Sequence, residues 1–305
     1  MTNRTKPSLN EFNPPRLEMT AGQLNRLVEA ALEEDLGWGD LTTDYFVPAN
    51  VTATARFVAR QPGVVAGLDV ARAVYQAVDP QIRFNATLQD GATLEAGQTL
   101  AAVEGNARSL LKGERVALNF LQRLSGIATA TSRFAAATAG TKARIVDTRK
   151  TTPLLRDLEK YAIRCGGGYN HRRNLSDGVM LKDNHLSALA TAGIPLEEAL
   201  KLGKERLPHL VKVEVEVDRL DQIPAALEGG ADVILLDNMS PELMKQAVEM
   251  IGGKALTEAS GGINLDSIAA IARSGVDLIS SGALTHSVKA LDIGLDFEFR
   301  APNVI

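Results

Sequence analysis

The amino-acid sequence predicts an α/β protein in which an incomplete parallel α/β barrel follows an N-terminal α+β sandwich domain. Apolar runs separated by segments of helical length dominate the C-terminal half, whereas alternating strands broken by glycine turns dominate the N-terminal part. The 305 residues, of which 45% are hydrophobic, are enough for two ordinary domains. We predict an N-terminal domain over residues 1–126, joined by residues 288–305, and a barrel domain over residues 127–287.

The predicted N-terminal domain begins with a polar, proline-containing tail over residues 1–15 and an amphipathic helix over residues 20–36. Small and apolar residues alternate with polar ones over residues 51–59, as in a half-exposed strand. A helix is predicted over residues 68–78, and glycine turns divide residues 90–105 into short strands. These elements are typical of a mixed α+β layer.

The predicted barrel domain follows a long amphipathic helix that starts near Leu110. Continuous apolar runs then alternate with polar segments, which is the pattern of parallel strands buried on both faces. The later runs recur about every 22 residues, which is the length of one strand and one helix. A complete barrel has roughly eight strands, whereas the visible runs are six: residues 143–146, 179–181, 211–217, 233–236, 255–256 and 276–279.

Composition and charge exclude several classes of protein. The formal net charge is −4, so we expect no basic surface for nucleic acid and small molecules as partners. A single cysteine excludes an intramolecular disulfide and a zinc site built from several thiolates, as in a reducing cytoplasm. No stretch approaches a signal peptide or the roughly 18 apolar residues of a membrane span. The sequence therefore predicts a soluble, cytoplasmic protein that does not bind membranes.

Charged side chains follow the predicted strands, at the edge of the barrel where active sites form. Residues 142–182 contain ten lysines or arginines against four acidic residues, although the chain is acidic overall. In one interpretation, a solvated helix face over residues 156–164 accounts for part of this excess. It explains Arg149, Lys150 and Lys182 less well, because unpaired cations beside apolar runs are costly to desolvate. A polyanionic substrate would supply the missing partner.

Carboxylates and small-residue turns complete the same edge. Glu216 and Asp237 end neighbouring runs, and the two-residue period of a strand places Glu214 on the face of Glu216, as the more structural of the two. Glu216 and Asp237 could be an acid/base pair, ion-pair partners, or magnesium ligands acting through water. Residues 258–262 and 280–283 form turns that enter helices, where backbone amides and the helix dipole favour phosphate.

Several segments of the chain resemble quinolinate phosphoribosyltransferases, the carboxylating nicotinate-nucleotide pyrophosphorylases. The resemblance covers roughly residues 20–297, and its most specific part is the block from DTRKT to KDNH at residues 147–185. The opening EDLGWGDLTTD at residues 34–44 also matches. The other matching segments are GERVALNFLQRLSGIAT, VEVEVD, VILLDN, ASGG and SSGALTHS.

The resemblance implies a glycosyltransferase that transfers the phosphoribosyl group of phosphoribosyl pyrophosphate (PRPP) to quinolinate with decarboxylation. The products would be nicotinate mononucleotide, carbon dioxide and pyrophosphate, in NAD biosynthesis. The family resemblance also implies Mg²⁺ as cofactor. It implies a homodimer in which Arg115 of one chain reaches the neighbouring active site, with any higher assembly left open.

The resemblance further implies a role for individual residues of this chain. Lys150, Glu216 and Asp237 are expected to be catalytic, and Glu216 and Asp237 to bind the ribose hydroxyls and, through water, the metal. The quinolinate carboxylates and ribose phosphates are expected to contact Thr148, Arg149, Lys150, His171, Arg172, Lys182 and His286. The 5′-phosphate is expected to bind Ser260, Gly261, Gly262, Ser281, Gly282 and Ala283. Many family members have asparagine at the position of Gly262.

The same residues allow other interpretations. Lys182 could form a Schiff base, as in barrel aldolases. Cys165 could be a nucleophile, although no base can be assigned and a buried structural thiol fits the sequence better. Residues 90–105 resemble the small barrel of biotinyl and lipoyl carrier domains but lack the displayed lysine. Within the same enzyme class, the substrate could be nicotinate or another pyridine, as in the molybdenum-transport-associated homologues, but the many cations favour the two carboxylates of quinolinate.

Overall fold

The computed structural model describes residues 15–301, which divide into two compact units. Unit 1 contains the described residues up to 130, residues 157–167, and those from 288 onwards, and unit 2 contains residues 131–156 and 168–287. The predicted fold class is confirmed, because unit 1 carries an antiparallel sheet with helices and unit 2 an open parallel sheet. The predicted N-terminal tail lies outside the described residues, apart from Pro15.

Unit 1 is built on a four-stranded antiparallel sheet with a separate two-stranded sheet. The larger sheet contains β1 (Thr52–Ala59), β3 (Arg83–Ala86), β5 (Thr99–Asn106) and β12 (Ile293–Arg300), and the smaller sheet contains β2 (Gly63–Val64) and β4 (Thr93–Leu94). The strand order of the larger sheet is β12-β1-β5-β3. The helices are α1 (Ala21–Leu36), α2 (Leu41–Phe46), α3 (Leu68–Val78), α4 (Ala107–Ala137), whose last turns belong to unit 2, and α5 (Arg156–Cys165).

A capping box in the sequence explains where helix α1 begins. The Thr20 hydroxyl accepts a hydrogen bond from the Gln23 N–H at 3.2 Å, and the Gln23 side chain accepts one from the Thr20 N–H at 2.9 Å. This reciprocal cap satisfies donors that would otherwise lack partners at the start of α1.

Three aromatic rings form part of the core of unit 1. The rings of Phe57, Tyr75 and Phe84 lie within 6.0–6.5 Å of one another and so connect β1, α3 and β3.

The interpretation of residues 156–164 as a solvated helix face is wrong. Helix α5 is buried, with Glu159 0% and Lys160 5% exposed. Arg123 on α4 forms an ion pair with Glu159, with 2.7 Å between Nη2 and Oε1. The sequence pattern misled because the ion-pair partner of Glu159 lies 36 positions away in the chain.

Cys165 at the end of α5 is also buried, with 6% exposure. Burial raises the pKa of its thiol well above the usual value, and only the thiolate is strongly nucleophilic. We therefore expect the native protein to resist iodoacetamide at pH 8 and the guanidinium-unfolded chain to take up one equivalent. Mass spectrometry of the two samples makes the comparison. Rapid labelling of the native protein with loss of activity would instead favour a nucleophilic role.

Unit 2 contains the predicted parallel strands, and all six are confirmed. They are β6 (Arg144–Val146), β7 (Val179–Leu181), β8 (Val213–Val217), β9 (Val233–Asp237), β10 (Leu256–Ser260) and β11 (Leu278–Ser280). The sheet order is β6-β11-β10-β9-β8-β7, so β6 and β7 are edge strands and the barrel is incomplete. The helices are α6 (Asp183–Thr191), α7 (Leu196–Arg206), α8 (Ile223–Glu228), α9 (Pro241–Ile251), α10 (Ile268–Arg273) and α11 (Ala283–His286).

A short segment after α5 extends the β6 edge. The Tyr169 N–H donates to the Ile145 carbonyl at 2.8 Å, and the Asp147 N–H donates to the Tyr169 carbonyl at 3.2 Å. The Arg144 guanidinium lies over the Tyr169 ring at 5.0 Å from its centroid, which adds a cation–π contact. This pairing carries the chain from Tyr169 directly to His171.

The strand register of unit 2 places the charged side chains of its sheet on one face. Glu216 pairs with Leu235, and Leu235 pairs with Glu258. Paired residues of a parallel sheet share a face, and so do residues two positions apart in one strand. Glu214 and Asp237 therefore lie on the same face as Glu216 and Glu258.

Candidate active site

A histidine and two buried glutamates form the innermost part of the site. The Nε2 atom of His171 lies 3.1 Å from Glu214 Oε2 and 3.5 Å from Glu258 Oε2. The two glutamate side chains are 7% and 1% exposed. Asp147, which is fully buried, accepts a hydrogen bond from the His171 N–H at 2.8 Å. The loop after Tyr169 is thus fixed to residues of β8 and β10 and to the residue that follows β6.

Burial alone would lower the pKa of His171, but its hydrogen bonds with Glu214 and Glu258 raise it to about 10. The Arg172 N–H donates to His171 Nδ1 at 2.7 Å, which requires a lone pair on that atom. The geometry therefore places a proton on Nε2, between the two carboxylates, and opposes the second proton that the raised pKa favours. Each ring nitrogen has its own partner, so the contacts favour the neutral ring with its proton on Nε2.

The ligand atoms of His171, Glu214 and Glu258 lie within 4.8 Å of one another, a spacing that a metal ion could use. A metal on Nε2 would need that nitrogen without its proton, and the Arg172 contact opposes moving the proton to Nδ1. The cluster is better described as a proton shared between a histidine and two carboxylates.

Each glutamate of this cluster also has one buried oxygen, Oε1, without a hydrogen-bond partner among the described residues. The cluster lines a cavity of about 480 Å³ that extends to Arg144 and Val233, which begin strands β6 and β9. This space is large enough for water, which would satisfy those oxygens.

Two arginines next to the cluster carry unbalanced positive charge. Burial and the neighbouring Arg149 lower the pKa of Arg172, whereas Glu214 raises it. Arg172 donates through Nη1 to the Gly178 carbonyl at 2.8 Å, and the buried Nε of Arg149 has no hydrogen-bond partner among residues 15–301. Two guanidinium groups with unused donors attract an anion with several oxygens.

The next positions along the strands carry the paired groups Lys182 and Glu216, whose amino and carboxylate groups are in direct contact. The side chains are 44% and 13% exposed, so the lysine reaches solvent while the carboxylate is largely covered. Asp237 ends the adjacent strand, and its Oδ2 accepts a hydrogen bond from Asn238 Nδ2 at 2.7 Å. The carboxyl ends of β8 and β9 therefore each present one carboxylate.

Small residues bring the remaining loops together. A Cβ atom on Gly282 would lie 2.8 Å from Cδ of Lys150 and 3.0 Å from the His286 ring, so a larger residue here would displace these side chains. The Thr285 hydroxyl donates to the Lys150 carbonyl at 2.6 Å. Gly262 has a φ of 59° with open space around it, a backbone that glycine and asparagine both accept.

Comparison with known proteins assigns the family. The model described as quinolinate phosphoribosyl transferase, N-terminal domain, matches residues 40–125, and the model for the C-terminal domain matches residues 127–296. The chain belongs to the quinolinate phosphoribosyltransferase family. The resemblance seen in the sequence is thereby confirmed.

Individual relatives of this family match most of the chain. A protein of Bacillus subtilis (strain 168), named probable nicotinate-nucleotide pyrophosphorylase [carboxylating], is 42% identical over 274 residues, which are 90% of this chain and 93% of the relative. A Mycobacterium leprae (strain TN) protein named nicotinate-nucleotide pyrophosphorylase [carboxylating] is 46% identical over 275 residues, which are 88% of this chain and 95% of the relative. The crystal structure of NadC from Streptococcus pyogenes has a TM-score of 0.88 at 40% identity, covering 94% of this chain and all of that one.

Unit 2 of this quinolinate phosphoribosyltransferase family member contains all but one of the predicted site residues. They are Thr148, Arg149, Lys150, His171, Arg172, Lys182, Glu216, Asp237, Ser260, Gly261, Gly262, Ser281, Gly282, Ala283 and His286. Arg115 is in unit 1, exposed on α4. The Ser281 N–H already donates to the Val146 carbonyl at 3.2 Å and its hydroxyl to the Ile263 carbonyl at 3.3 Å, so this residue also holds its turn together.

The sequence did not identify Asp147, Asn238 and Glu258 as functional residues. Glu258 stood in a segment interpreted as a phosphate-binding turn. It is instead the middle residue of strand β10 and is buried. The available signal was a glutamate two residues after the apolar run 255–256. No helix within residues 15–301 has both the length and the apolar character that a membrane crossing requires.

Proposed function

We propose that this protein transfers the phosphoribosyl group of PRPP to quinolinate, with release of pyrophosphate and carbon dioxide and formation of nicotinate mononucleotide. The reaction belongs to NAD biosynthesis. Membership of the quinolinate phosphoribosyltransferase family supports this proposal. So do the relatives, which are named for this activity and match this chain over most of their length.

The substrate assignment rests on two neighbouring cationic side chains, Arg149 and Arg172. Burial lowers the pKa of Arg172 and the neighbouring Arg149 lowers it further, so both burial and the like charge destabilise the Arg172 cation. A dicarboxylate ring relieves both effects, because each carboxylate can accept two parallel hydrogen bonds from one guanidinium. Quinolinate has two adjacent carboxylates, whereas nicotinate has one and would leave one of the cations less well compensated.

The carboxylates of Glu216 and Asp237 serve the ribose. Breaking the bond from ribose C1 to pyrophosphate develops positive charge on the sugar, and nearby fixed carboxylates stabilise it. The amino group of Lys182 is in contact with the Glu216 carboxylate. On substrate binding, we expect its exposed amino group to move to an anionic oxygen and leave Glu216 to the ribose.

Mg²⁺ fits the same two carboxylates, which are hard oxygen donors at neighbouring strand ends. Glu216 and Asp237 would hold it, through water in our proposal. When bound, Mg²⁺ supplies positive charge to the pyrophosphate oxygens. Lys150, next to Gly282, lies where it can bind the phosphates together with the small-residue turns.

Decarboxylation follows from addition of the pyridine nitrogen to ribose C1. The quaternary nitrogen stabilises negative charge at the neighbouring ring carbon C2, so the 2-carboxylate can leave as carbon dioxide while the electrons of the broken bond stay on C2, which then takes up a proton from solvent. The protein has to orient the ring and keep water away. Arg149 and Arg172 provide the orientation by binding the carboxylates.

We also propose that the active protein is a homodimer in the cytoplasm. Unit 1 exposes Trp38, Tyr45 and Phe46 at 100%, 78% and 84%, and large apolar side chains grouped in one short segment are typical of protein interfaces. Arg115, also exposed in unit 1, is free to act on another chain. The one cysteine, which is buried, suits a reducing compartment.

The deciding assay uses purified protein, PRPP and Mg²⁺ with carboxyl-labelled quinolinate or nicotinate. We expect stoichiometric carbon dioxide and nicotinate mononucleotide from quinolinate and no product from nicotinate. Product from nicotinate alone, or from neither substrate with an intact dimer, would contradict the assignment.

Sharing of sites across the dimer has its own test. Arg115→Ala and Lys150→Ala are each expected to be inactive but folded, because both side chains are exposed. Mixing the two variants under conditions of subunit exchange should restore up to about a quarter of the wild-type activity, since half of the dimers then carry one intact site out of two. Native mass spectrometry verifies the exchange. No recovery in exchanged dimers would mean that Arg115 acts within its own chain or not at all.

A further inference from the structure

Asn238 has an unusual backbone conformation next to the site. Its φ is 53°, and among the described residues the other non-glycine with positive φ is Leu154. Asparagine tolerates this left-handed region better than most residues, but the conformation persists only where the surroundings enforce it. Asn238 directly follows the last residue of β9.

The strand end of β10 enforces this conformation. The Asn238 N–H donates to the Ser260 carbonyl at 2.9 Å. A Cβ atom on Gly261 would lie 2.1 Å from Asn238 Oδ1 and 2.9 Å from the Asn238 backbone nitrogen, which is too close for any side chain. The Asn238 side chain therefore packs directly against the backbone of Gly261.

The other end of the Asn238 amide holds a functional carboxylate. Nδ2 of Asn238 donates to Asp237 Oδ2 at 2.7 Å. With Oδ1 towards Gly261 and Nδ2 towards Asp237, the amide cannot turn without losing the contact to the carboxylate. One oxygen of Asp237 is thus fixed, and the other is left for a ligand.

We propose that Asn238 is a positioning residue for Asp237, and that position 261 requires glycine in order to admit the Asn238 side chain as well as to serve the phosphate turn. The inference rests on the proposed role of Asp237 towards ribose and metal. Ligand-orienting partners of this kind commonly change metal affinity or activity by about 10–100-fold when removed.

The rival explanation is that Asn238 only allows the chain to turn. Asn238→Gly separates the two, because glycine accepts a positive φ without strain but has no amide side chain. Asn238→Asp keeps a similar shape and replaces the donor by a carboxylate that repels Asp237. Leu154→Gly is the matched control: it removes the other positive-φ side chain of the described residues, which is 89% exposed and is not among the residues assigned to the site.

The experiment measures three quantities for each variant: thermal unfolding, Mn²⁺ affinity by electron paramagnetic resonance with and without PRPP, and KM and kcat for both substrates. For Asn238→Gly we expect unchanged or higher thermal stability, Mn²⁺ affinity weakened about tenfold, and kcat/KM for PRPP lowered about 10–100-fold. KM for quinolinate should stay the same, and Asn238→Asp should be impaired at least as much. Leu154→Gly should match the wild type in both binding and kinetics.

Wild-type Mn²⁺ affinity and kinetics in Asn238→Gly would overturn the proposal and leave Asn238 as a turn residue. A uniform loss that follows reduced thermal stability would do the same. If the wild-type protein itself fails to transfer phosphoribosyl groups, the proposed function fails. The Mn²⁺ titrations would then still test the orientation of Asp237.

Discussion

Glu216→Gln is expected to lower kcat by about 10²–10³-fold while the protein stays folded. The substitution keeps the size of the side chain but removes the charge that stabilises the developing positive charge on the ribose. Lys182 loses its partner, yet its side chain is 44% exposed and water can solvate it, so stability should change little. Rapid-quench measurement of pyrophosphate release gives kcat, and denaturant unfolding gives the free energy of unfolding.

Glu228→Gln serves as the control for this prediction. Glu228 is 70% exposed and forms an ion pair with Lys201 at 3.6 Å, a surface contact of little energetic weight. It should leave kcat and stability unchanged. Equal kcat values for Glu216→Gln and the wild type would show that Glu216 has only an ion-pairing role, which is one of the interpretations that the sequence left open.

Gly126→Ala is expected to lower the free energy of unfolding by about 3 kcal/mol, at the upper end of typical overpacking. Its Cβ atom would lie 2.3 Å from the Lys289 carbonyl oxygen and 3.2 Å from the Leu291 nitrogen. These are backbone atoms, so no side chain can rotate away. The Leu291 N–H also donates to the Gln122 carbonyl at 2.9 Å, which holds the segment leading into β12 against α4.

Gly203→Ala is the matched control for the stability prediction. Gly203 lies inside helix α7, and a Cβ atom there would meet no atom within 4 Å. Alanine is favoured over glycine in a helix by about 0.5–1 kcal/mol, so this variant should gain stability. Urea unfolding followed by circular dichroism measures both. A gain for both variants would mean that the segment before β12 moves away from α4 without penalty.

The sequence predicted the strands of unit 2 well, because apolar runs between polar segments are a local signal. It also placed Lys182, Glu216 and Asp237 together, because carboxyl ends of parallel strands meet at one edge. The contact of His171 with Glu214 and Glu258 could not be predicted in the same way. It joins residues 43 positions apart or more, through a loop whose path depends on the pairing of Tyr169 with β6.

Two residue patterns allowed more than one physical explanation. For α5 the sequence favoured the wrong explanation, and for Gly261 it indicated one of two reasons for glycine. The charges of α5 were interpreted as solvated, whereas Arg123, 36 positions away, neutralises Glu159 in the interior. Gly261 was assigned to the phosphate turn, and the contact with Asn238 supplies a second reason for glycine. The roles of Mg²⁺, Arg115 and the phosphate-binding turns stay predictions.

The chain passes between its two compact units four times, after residues 130, 156, 167 and 287. No single cut therefore yields either unit, although the two family models meet at residues 125 and 127. A fragment ending at residue 126 would lack β12, which pairs with all of β1 from Thr52 to Ala59, and would expose a bare strand edge that invites aggregation. A hybrid that takes one unit from a relative would therefore need junctions at all four crossings.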